Sequence, residues 1–548
     1  MARILATRGL VNGEAVGAFL NPQLSGLHDP STLPDIDKAA ERVRQAAMSN
    51  EKVVIYGDYD VDGVSGSALL VQFLRLLNMD VGYYVPHRIR EGYGLNVKAI
   101  RQFTSEDVQL LITVDCGVNA VDEIREAADA GIDIIVTDHH EPGPELPQAY
   151  AIIDPKLPDS QYPFRHLSGA GVAFKLAWAI AQKLSPGQRV KPEFREFLMD
   201  ALGLAALGTI ADVVPLIGEN RVIAKFGLET LTVSRSPGVR ALIDSARLDS
   251  QRLESHHVSF RLAPRLNAAG RMAEAVMCVD LLTTNSTEKA REIADQLDQR
   301  NRQRQQIQQE VLESVRLKLA AQVDLENDLV VVLADEHWHP GVLGIVASKI
   351  VDYCYRPTVL VSLDEGMGKG SGRSIPEFNL FEALAECGGP LESFGGHSQA
   401  AGIQIKYDNV ELFRAALNTY AAERLDSVDM VCSLVIDAEI EAEELTVDLV
   451  GSMGRMQPYG EANREPVFCT RGLRLVGAAR LVGKDDRHLA FYVRHGNASF
   501  RAIAFGMADQ YDSVTASEYC DMAFKARVHE YNGRESVELQ VVDLKTRN

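Results

Sequence analysis

The sequence has no CxxC pair, and its seven cysteines are an odd number, which excludes a disulfide framework and predicts a reducing, cytoplasmic setting. Long apolar runs are missing too. The longest, Ala201 to Ala211, is rich in Gly and Ala, stops at Asp212 and Pro215, and is too short to span a bilayer. The first residues, MARILATRGLVNGEAVGAFL, contain no uninterrupted apolar core and predict no secretory signal. Positive charge is scarce: a formal net charge of −20 excludes a protein that coats DNA through bulk electrostatics. A metal site would use up part of that acidic excess, and a local basic groove can still guide phosphates. GMGKGSG (Gly366 to Gly372) lacks the GK[ST] of a nucleotide P-loop.

What is present is ordinary globular material: 548 residues, 46% hydrophobic and 24% charged, enough for two to four domains. Short apolar runs at Val53–Tyr56, Val81–Val85, Leu110–Val114, Ile132–Val136 and Ala151–Ile153 read as strands. Helical patterns lie between and after them at Val64–Leu77, Asn96–Arg101, Ala120–Ala130 and Gly171–Leu184. This alternation predicts an α/β fold with a doubly wound parallel sheet, whose ligands bind beyond the carboxyl ends of the strands.

Acidic residues sit at those ends. Asp58, Asp60 and Asp62 follow the first strand, Asp115 the third, Asp138, His139 and His140 the fourth, and Asp154 the fifth. A lone DxDxD is most often a solvated loop, and DxDxDG here lacks the closing Glu of a calcium loop. Repetition after several strands of one sheet points instead to a cation: like charges this close repel unless something positive lies between them. Oxygen-rich donors suit Mg²⁺ or Mn²⁺. Asp212, after the run ALGLAALGTIADVVPL, reads equally as a helix cap or a further ligand.

YGDYDVDG, VDCG, DHH and ADVVPL resemble the four motifs of the DHH phosphoesterase superfamily. RLAPRLNAAGR, GSGRS and FGGHSQAAG resemble its RecJ branch, over nearly the whole chain. The resemblance departs at VDCG, where Cys116 stands at a position usually Asn, leaving Asp115 intact. It implies a single-stranded-DNA-specific exonuclease acting 5′→3′ to mononucleotides by two-metal hydrolysis, in DNA repair and recombination. It implies two Mn²⁺ or Mg²⁺ ions, with Asp115 bridging, Asp60 on one, and Asp62, His139 and Asp212 on the other. Asp58 and Asp138 would be further ligands or orienting groups, and His140 and Arg271 would contact the scissile phosphate. Arg88, Ser371 and Arg373 would form a 5′-phosphate pocket, with His397 lining the same cleft. A single-stranded-DNA-binding protein and a helicase are the implied partners of a monomer.

The expected organisation is a helical preface (1–50), a DHH catalytic domain (51–284), a bridging helix (285–323), a second α/β, DHH-associated domain (324–428) and a C-terminal β-barrel of OB-fold type (429–548). The bridging helix should start with Asn285 and Glu288 as a capping pair and cross solvent at DQRNRQRQQ, polar on every face. In the second domain, strands are expected at Leu329–Leu333 and Thr358–Val361; the HWH at His337 to His339 reads as structural. Strand-like runs from CSLVIDAEI to SVELQVVDL suggest the barrel, where Phe491, Tyr492, Arg494, Arg527 and Tyr531 are candidates for gripping a strand. Relatives that cut short oligonucleotides lack the long helix and barrel, and non-enzymatic scaffolds lack the carboxylates.

Overall fold

The computed structural model describes the chain except residues 89, 90, 186, 188, 250, 273, 274, 427, 428, 532 and 548, and only the backbone of 271, 272 and 531. Five strands, β1 (Val53–Gly57), β2 (Val81–Tyr84), β3 (Leu110–Val114), β4 (Asp133–Thr137) and β5 (Ala151–Ile153), form a parallel sheet in the order β2-β1-β3-β4-β5. The runs are apolar throughout because both faces are covered. Val53 and Ile55 enter one core with the helices Val61–Leu76 and Gly169–Lys183, while Val54 and Tyr56 enter another with Val97–Ser105 and Val121–Asp129. The long apolar run lies in the helix Pro192–Ala211, packed in the first core; among the described residues no helix is long and apolar enough to cross a membrane.

The helix after β1 begins at Val61, not at Val64 as the apolar pattern suggests. Asp60 is its cap: Oδ1 accepts from the amides of Asp62 (2.9 Å) and Gly63 (3.1 Å). Gly63 is required there, since a Cβ would lie 2.5 Å from the Asp58 carbonyl oxygen. Asp62 therefore projects from a first helical turn rather than from a loop.

The bridging helix, Thr287–Gln322, has 36 residues and a length of about 54 Å. Ser286, not Asn285, caps it, accepting from the Lys289 amide at 3.2 Å. Its middle does not cross solvent as expected. Asn301, Arg304 and Gln308 are buried, and Arg304 donates to both amide oxygens at 2.9 Å, while its Nε has no hydrogen-bond partner among the described residues.

The second sheet has the order β6-β7-β8-β10-β9, from Val331–Asp335, Thr358–Asp364, Met367–Arg373, Leu391–His397 (β9) and Ala400–Lys406 (β10). MGKGSGR is strand β8 itself, with Gly368, Gly370 and Gly372 packed under Val361, Ile403 and Leu380, and FGGH belongs to the edge strand β9. The first strand starts at Val331 rather than Leu329 because Asn418 takes the amides of Leu329 and Val330.

The barrel comprises β11 (Ala438–Glu439), β12 (Phe468–Val482), β13 (His488–His495), β14 (Ala498–Ala504), β15 (Tyr519–Tyr531) and β16 (Arg534–Arg547), closed by β12–β15 pairing. Of CSLVIDAEI only Ala438–Glu439 joins the ladder. The helices Ala2–Thr7 and Gly13–Leu20 pack on the barrel, with Ile4 and Leu5 in its core, whereas Ile36–Ser49 packs on the parallel sheet. Residues expected to form one preface thus divide between two cores.

Candidate metal centre and substrate cleft

The strand order reverses between β1 and β3, and the crevice beyond their carboxyl ends is where an open α/β sheet binds ligands. Asp58, Asp60 and Asp62 leave β1 there and Asp115 leaves β3. Asp115 adopts φ +63°, in the left-handed region. Asp138, His139 and His140 follow β4, and Asp212 terminates the helix Pro192–Ala211.

Two groups of ligand atoms result, Asp58–Asp60–Asp115 and Asp62–His139–Asp212, each within 4.8 Å, and a third, Asp115–His139–His140, links them. His139 Nε2 joins them, lying 3.0 Å from Asp115 Oδ1, 3.6 Å from Asp212 Oδ2 and 3.8 Å from Asp62 Oδ2. Asp62 is held by the N-terminus of the helix Gly169–Lys183: the amides of Gly169 (2.6 Å) and Ala170 (2.9 Å) donate to its two oxygens. Asp138 belongs to none of these groups. Its oxygens accept from the amides of Val118 (2.9 Å) and His139 (2.7 Å) and from His140 Nδ1 (2.7 Å), so it orients the neighbouring histidines. Asp154 is buried, accepting from the Lys156 amide at 2.7 Å.

The electrostatics are those of a site built around cations. Burial, reinforced by Asp60, raises Asp62 to about 7; burial and then Asp62 raise Asp212 to about 9. Asp58 and Asp115 are driven well above the usual carboxylate range by the same causes, burial first and Asp60 next. Burial pushes His139 down to about 3, leaving a neutral imidazole able to ligate. Burial opposes charge on His140 also, but the hydrogen bond and charge of Asp138 outweigh it and lift His140 to about 9. Asp58 Oδ1, Asp115 Oδ1 and His139 Nε2 are buried with no hydrogen-bond partner among the described residues. Orphaned hard donors converging from three directions fit divalent Mn²⁺ or Mg²⁺.

A pH test follows. Folded pKa values raised above the unfolded ones, for Asp62, Asp212 and His140, mean stability present at low pH and lost as pH rises through about 7 and then about 9. Chelated protein is expected to show a first thermal transition at least ~5 °C lower at pH 9 than at pH 6.5, and Mn²⁺ to remove the difference. Scanning calorimetry with and without EDTA measures it; a chelated transition that rises with pH would contradict it.

Across the crevice, Ser371 and Arg373 lie on β8 and His397 on β9, with Arg373 and His397 both in register with Ala400 of β10. Arg373 donates to Ser371 Oγ (3.3 Å) and to the Gly372 carbonyl (2.7 Å). Burial and then the charge of Arg88, from the other lobe, push Arg373 below its usual value. Arg88 lies 5.0 Å over the ring of Tyr59. Among the described residues neither guanidinium is paired to a carboxylate. The Arg271 side chain and that of Tyr531 lie outside the described residues. In the barrel, Phe491 is core, because its position on β13 faces inward, while Tyr492, Arg494 and Arg527 are exposed, Arg527 paired with Glu465 at 3.0 Å. Cys116 is buried beneath the site. Sequence reasoning missed Tyr93, whose hydroxyl lies 3.1 Å from both the Asp115 carbonyl and His140 Nδ1. Its place in REGYG, between tight turns, was the available signal.

Paired carboxylate–histidine groups at the switch point of a parallel sheet, faced by a second lobe that presents Arg373, define a DHH-type phosphoesterase. The DHH family, N-terminal domain, matches residues 52–209, and the DHHA1 domain matches 327–423. The RecJ OB domain matches 436–543. The chain is 37% identical over 545 residues to the single-stranded-DNA-specific exonuclease RecJ of Bacillus subtilis, covering 99% of this chain and 67% of that one. It is 36% identical over 558 residues to the RecJ of Dickeya dadantii, covering 99% and 95%. A crystal structure of RecJ from Thermus thermophilus in complex with Mn²⁺ matches 100% of this chain and 76% of that one, with a TM-score of 0.84 at 32% identity. This chain belongs to the RecJ family.

Proposed function

We propose that this protein is a divalent-metal-dependent exonuclease that degrades single-stranded DNA from the 5′ end to mononucleotides, in DNA repair and recombination. The observation that carries it is the pair of ligand groups at the β1/β3 switch point, held within reach of Asp115 and His139. Asp58, Asp60 and Asp115 would hold one Mn²⁺ or Mg²⁺, and Asp62, His139 and Asp212 the other, with Asp115 shared. Bound there, two such ions would supply an activated water and positive charge to offset that on the phosphate. The chain's own groups do the rest. Asp138 fixes the His140 ring, and His140, protonated at neutral pH, donates to a non-bridging phosphate oxygen. Arg271, ending the same LNAAGR stretch, takes another such oxygen. The Gly169 and Ala170 amides donate to Asp62 and offset part of the burial that favours its protonation.

Arg88, Ser371 and Arg373, with His397 beside them, form the pocket for a terminal 5′-phosphate, which carries more charge than an internal one. A lone strand is the substrate, so a helicase and a single-stranded-DNA-binding protein are the proposed partners of a monomer acting in the cytoplasm. Seven free cysteines suit that compartment.

The test compares a 5′-phosphorylated single strand with a dinucleotide, each with Mn²⁺ and with chelator. The strand should be consumed from its 5′ end only with metal; a dinucleotide cut far faster than the strand would favour a small-substrate phosphoesterase. Arg373→Ala should lose most of the preference for 5′-phosphate over 5′-hydroxyl strands. One charged hydrogen bond is worth ~1.5–3 kcal/mol, roughly tenfold to a hundredfold. Full wild-type preference in that variant would place the end pocket elsewhere.

A further inference from the structure

Arg221, on the helix Gly218–Thr232, is 2% exposed, yet among the described residues no carboxylate is hydrogen-bonded or ion-paired to it. All three guanidinium nitrogens donate to main-chain carbonyls of other segments. Nε reaches Phe19 at 2.8 Å, Nη1 reaches Pro458 at 3.3 Å, and Nη2 reaches Gln457 at 2.9 Å and Arg455 at 3.3 Å. Its guanidinium also lies 4.0 Å over the Phe19 ring. Burial pushes it down to about 10, so it remains charged at neutral pH. Burying a cation without a counter-charge is costly and persists only where dipoles replace water. Here four carbonyls do so, and they belong to the two segments that carry the barrel. Beside the clamp, the Leu216 amide donates to Glu461 at 2.8 Å and Ser255 Oγ donates to the Tyr459 carbonyl. On the barrel side Arg8 grips Asp437 (3.0 Å) and Asn463 (2.9 Å).

Between the catalytic core and the barrel runs a cavity of about 1220 Å³ that reaches Ala211 and Val213, either side of Asp212. Lys225 and Arg252 line it from the core, and Arg455, Arg464, Lys525 and Arg527 from the barrel. Glu229, Glu254 and Glu465 line it too, Glu465 paired with Lys525 and Arg527 and Glu229 with Arg252. Among the described residues Lys225, Arg455 and Arg464 have no carboxylate partner, and in a chain of net charge −20 that local basic excess suits a phosphate backbone. Arg455 and Arg464 bracket the stretch that is clamped from below.

We propose that Arg221 is a positioning residue for strand binding: by holding the main chain of residues 455–458 it sets the barrel over the cavity and aims Arg455 and Arg464 at the phosphates of a bound single strand. The inference rests on the function proposed above. Arg221 touches no substrate. A planar fork with donors on both edges is what lets one side chain span two segments, and the three donors of a lysine cannot reproduce it.

Kinetics on a 5′-phosphorylated 20-mer and a 5′-phosphorylated trinucleotide, over a series of salt concentrations, separate this role from general structure. For Arg221→Met, KM on the 20-mer should rise ~10-fold or more, as weakening of the Arg455 and Arg464 contacts implies, with kcat held. Trinucleotide kinetics should stay at wild-type values. The slope of log KM against log salt should fall by ~1.4, two single-strand phosphate contacts at ~0.7 each. Arg221→Lys should recover only part of the loss. Wild-type KM and slope in Arg221→Met, or equal losses on both substrates, would overturn the inference. If wild-type enzyme itself bound the 20-mer no better than the trinucleotide, the strand-binding reading of the cavity would fall, irrespective of Arg221. Should Arg221→Met not fold, Ser255→Ala, which removes a single donor to the same turn, decides: a 20-mer KM raised ~2–3-fold supports the clamp, and an unchanged one overturns it.

Discussion

Asp115→Asn is expected to cut hydrolysis of single strands by ~10³-fold or more, the scale of a lost metal-borne stabilisation of several kcal/mol. Asp115 is the carboxylate that belongs both to the group with Asp58 and Asp60 and to the one with His139 and His140, so its loss reaches both sides of the site. Asn is the informative substitution. Residue 115 has φ +63°, a conformation Asn tolerates and Ala accepts at a cost. Removing one charge from a buried acidic cluster should also make the chelated protein more stable than wild type, while Mn²⁺ no longer raises the transition. Turnover within ~10-fold of wild type would defeat the shared-ligand scheme. A chelated variant less stable than wild type would mean that Asp115 supports the fold rather than the metals.

The second large effect concerns strand class. Arg88 and Arg373 belong to opposing lobes, and the charge of Arg88 depresses the pKa of Arg373, so one terminal phosphate is expected to engage both. A blunt duplex must unpair its end before a 5′-phosphate reaches both. At ~1.4 kcal/mol per step, opening two or three pairs costs about 3–4 kcal/mol, which predicts cleavage ~10²–10³-fold slower than on a single strand. Lengthening a 5′ overhang should restore the rate within a few nucleotides, and an added helicase should restore it on blunt ends. Equal initial rates on blunt and single-stranded 5′ ends would contradict a closed end pocket.

Much of this architecture is legible in the chain because its signals are local. Val53 to Tyr56 and Leu110 to Val114 are short, apolar and followed at once by acid, and a parallel sheet forces such residues to one edge. The ligand candidates from Asp58 to His140 follow from that rule. Asp212 is ambiguous by the same logic: its place at a helix end is local, but its 3.6 Å approach to His139 comes from helix packing across the sheet. The start of the helix at Val61 depends on the Asp60 cap and on Gly63 passing close over Asp58, neither of which periodicity registers. Asn301, Arg304 and Gln308 are polar in composition and buried in fact, because their partners are one another within a domain junction. The two N-terminal helices join the barrel's core from the far end of the chain, and Arg221 gathers carbonyls at residues 19 and 455–458. Strands, the sheet edge where acid collects and the donor atoms themselves depend on neighbours within a few residues, so the chain alone specifies them. Which donors converge, which polar groups are buried and where the barrel sits depend on contacts between segments hundreds of residues apart, and folding alone settles those.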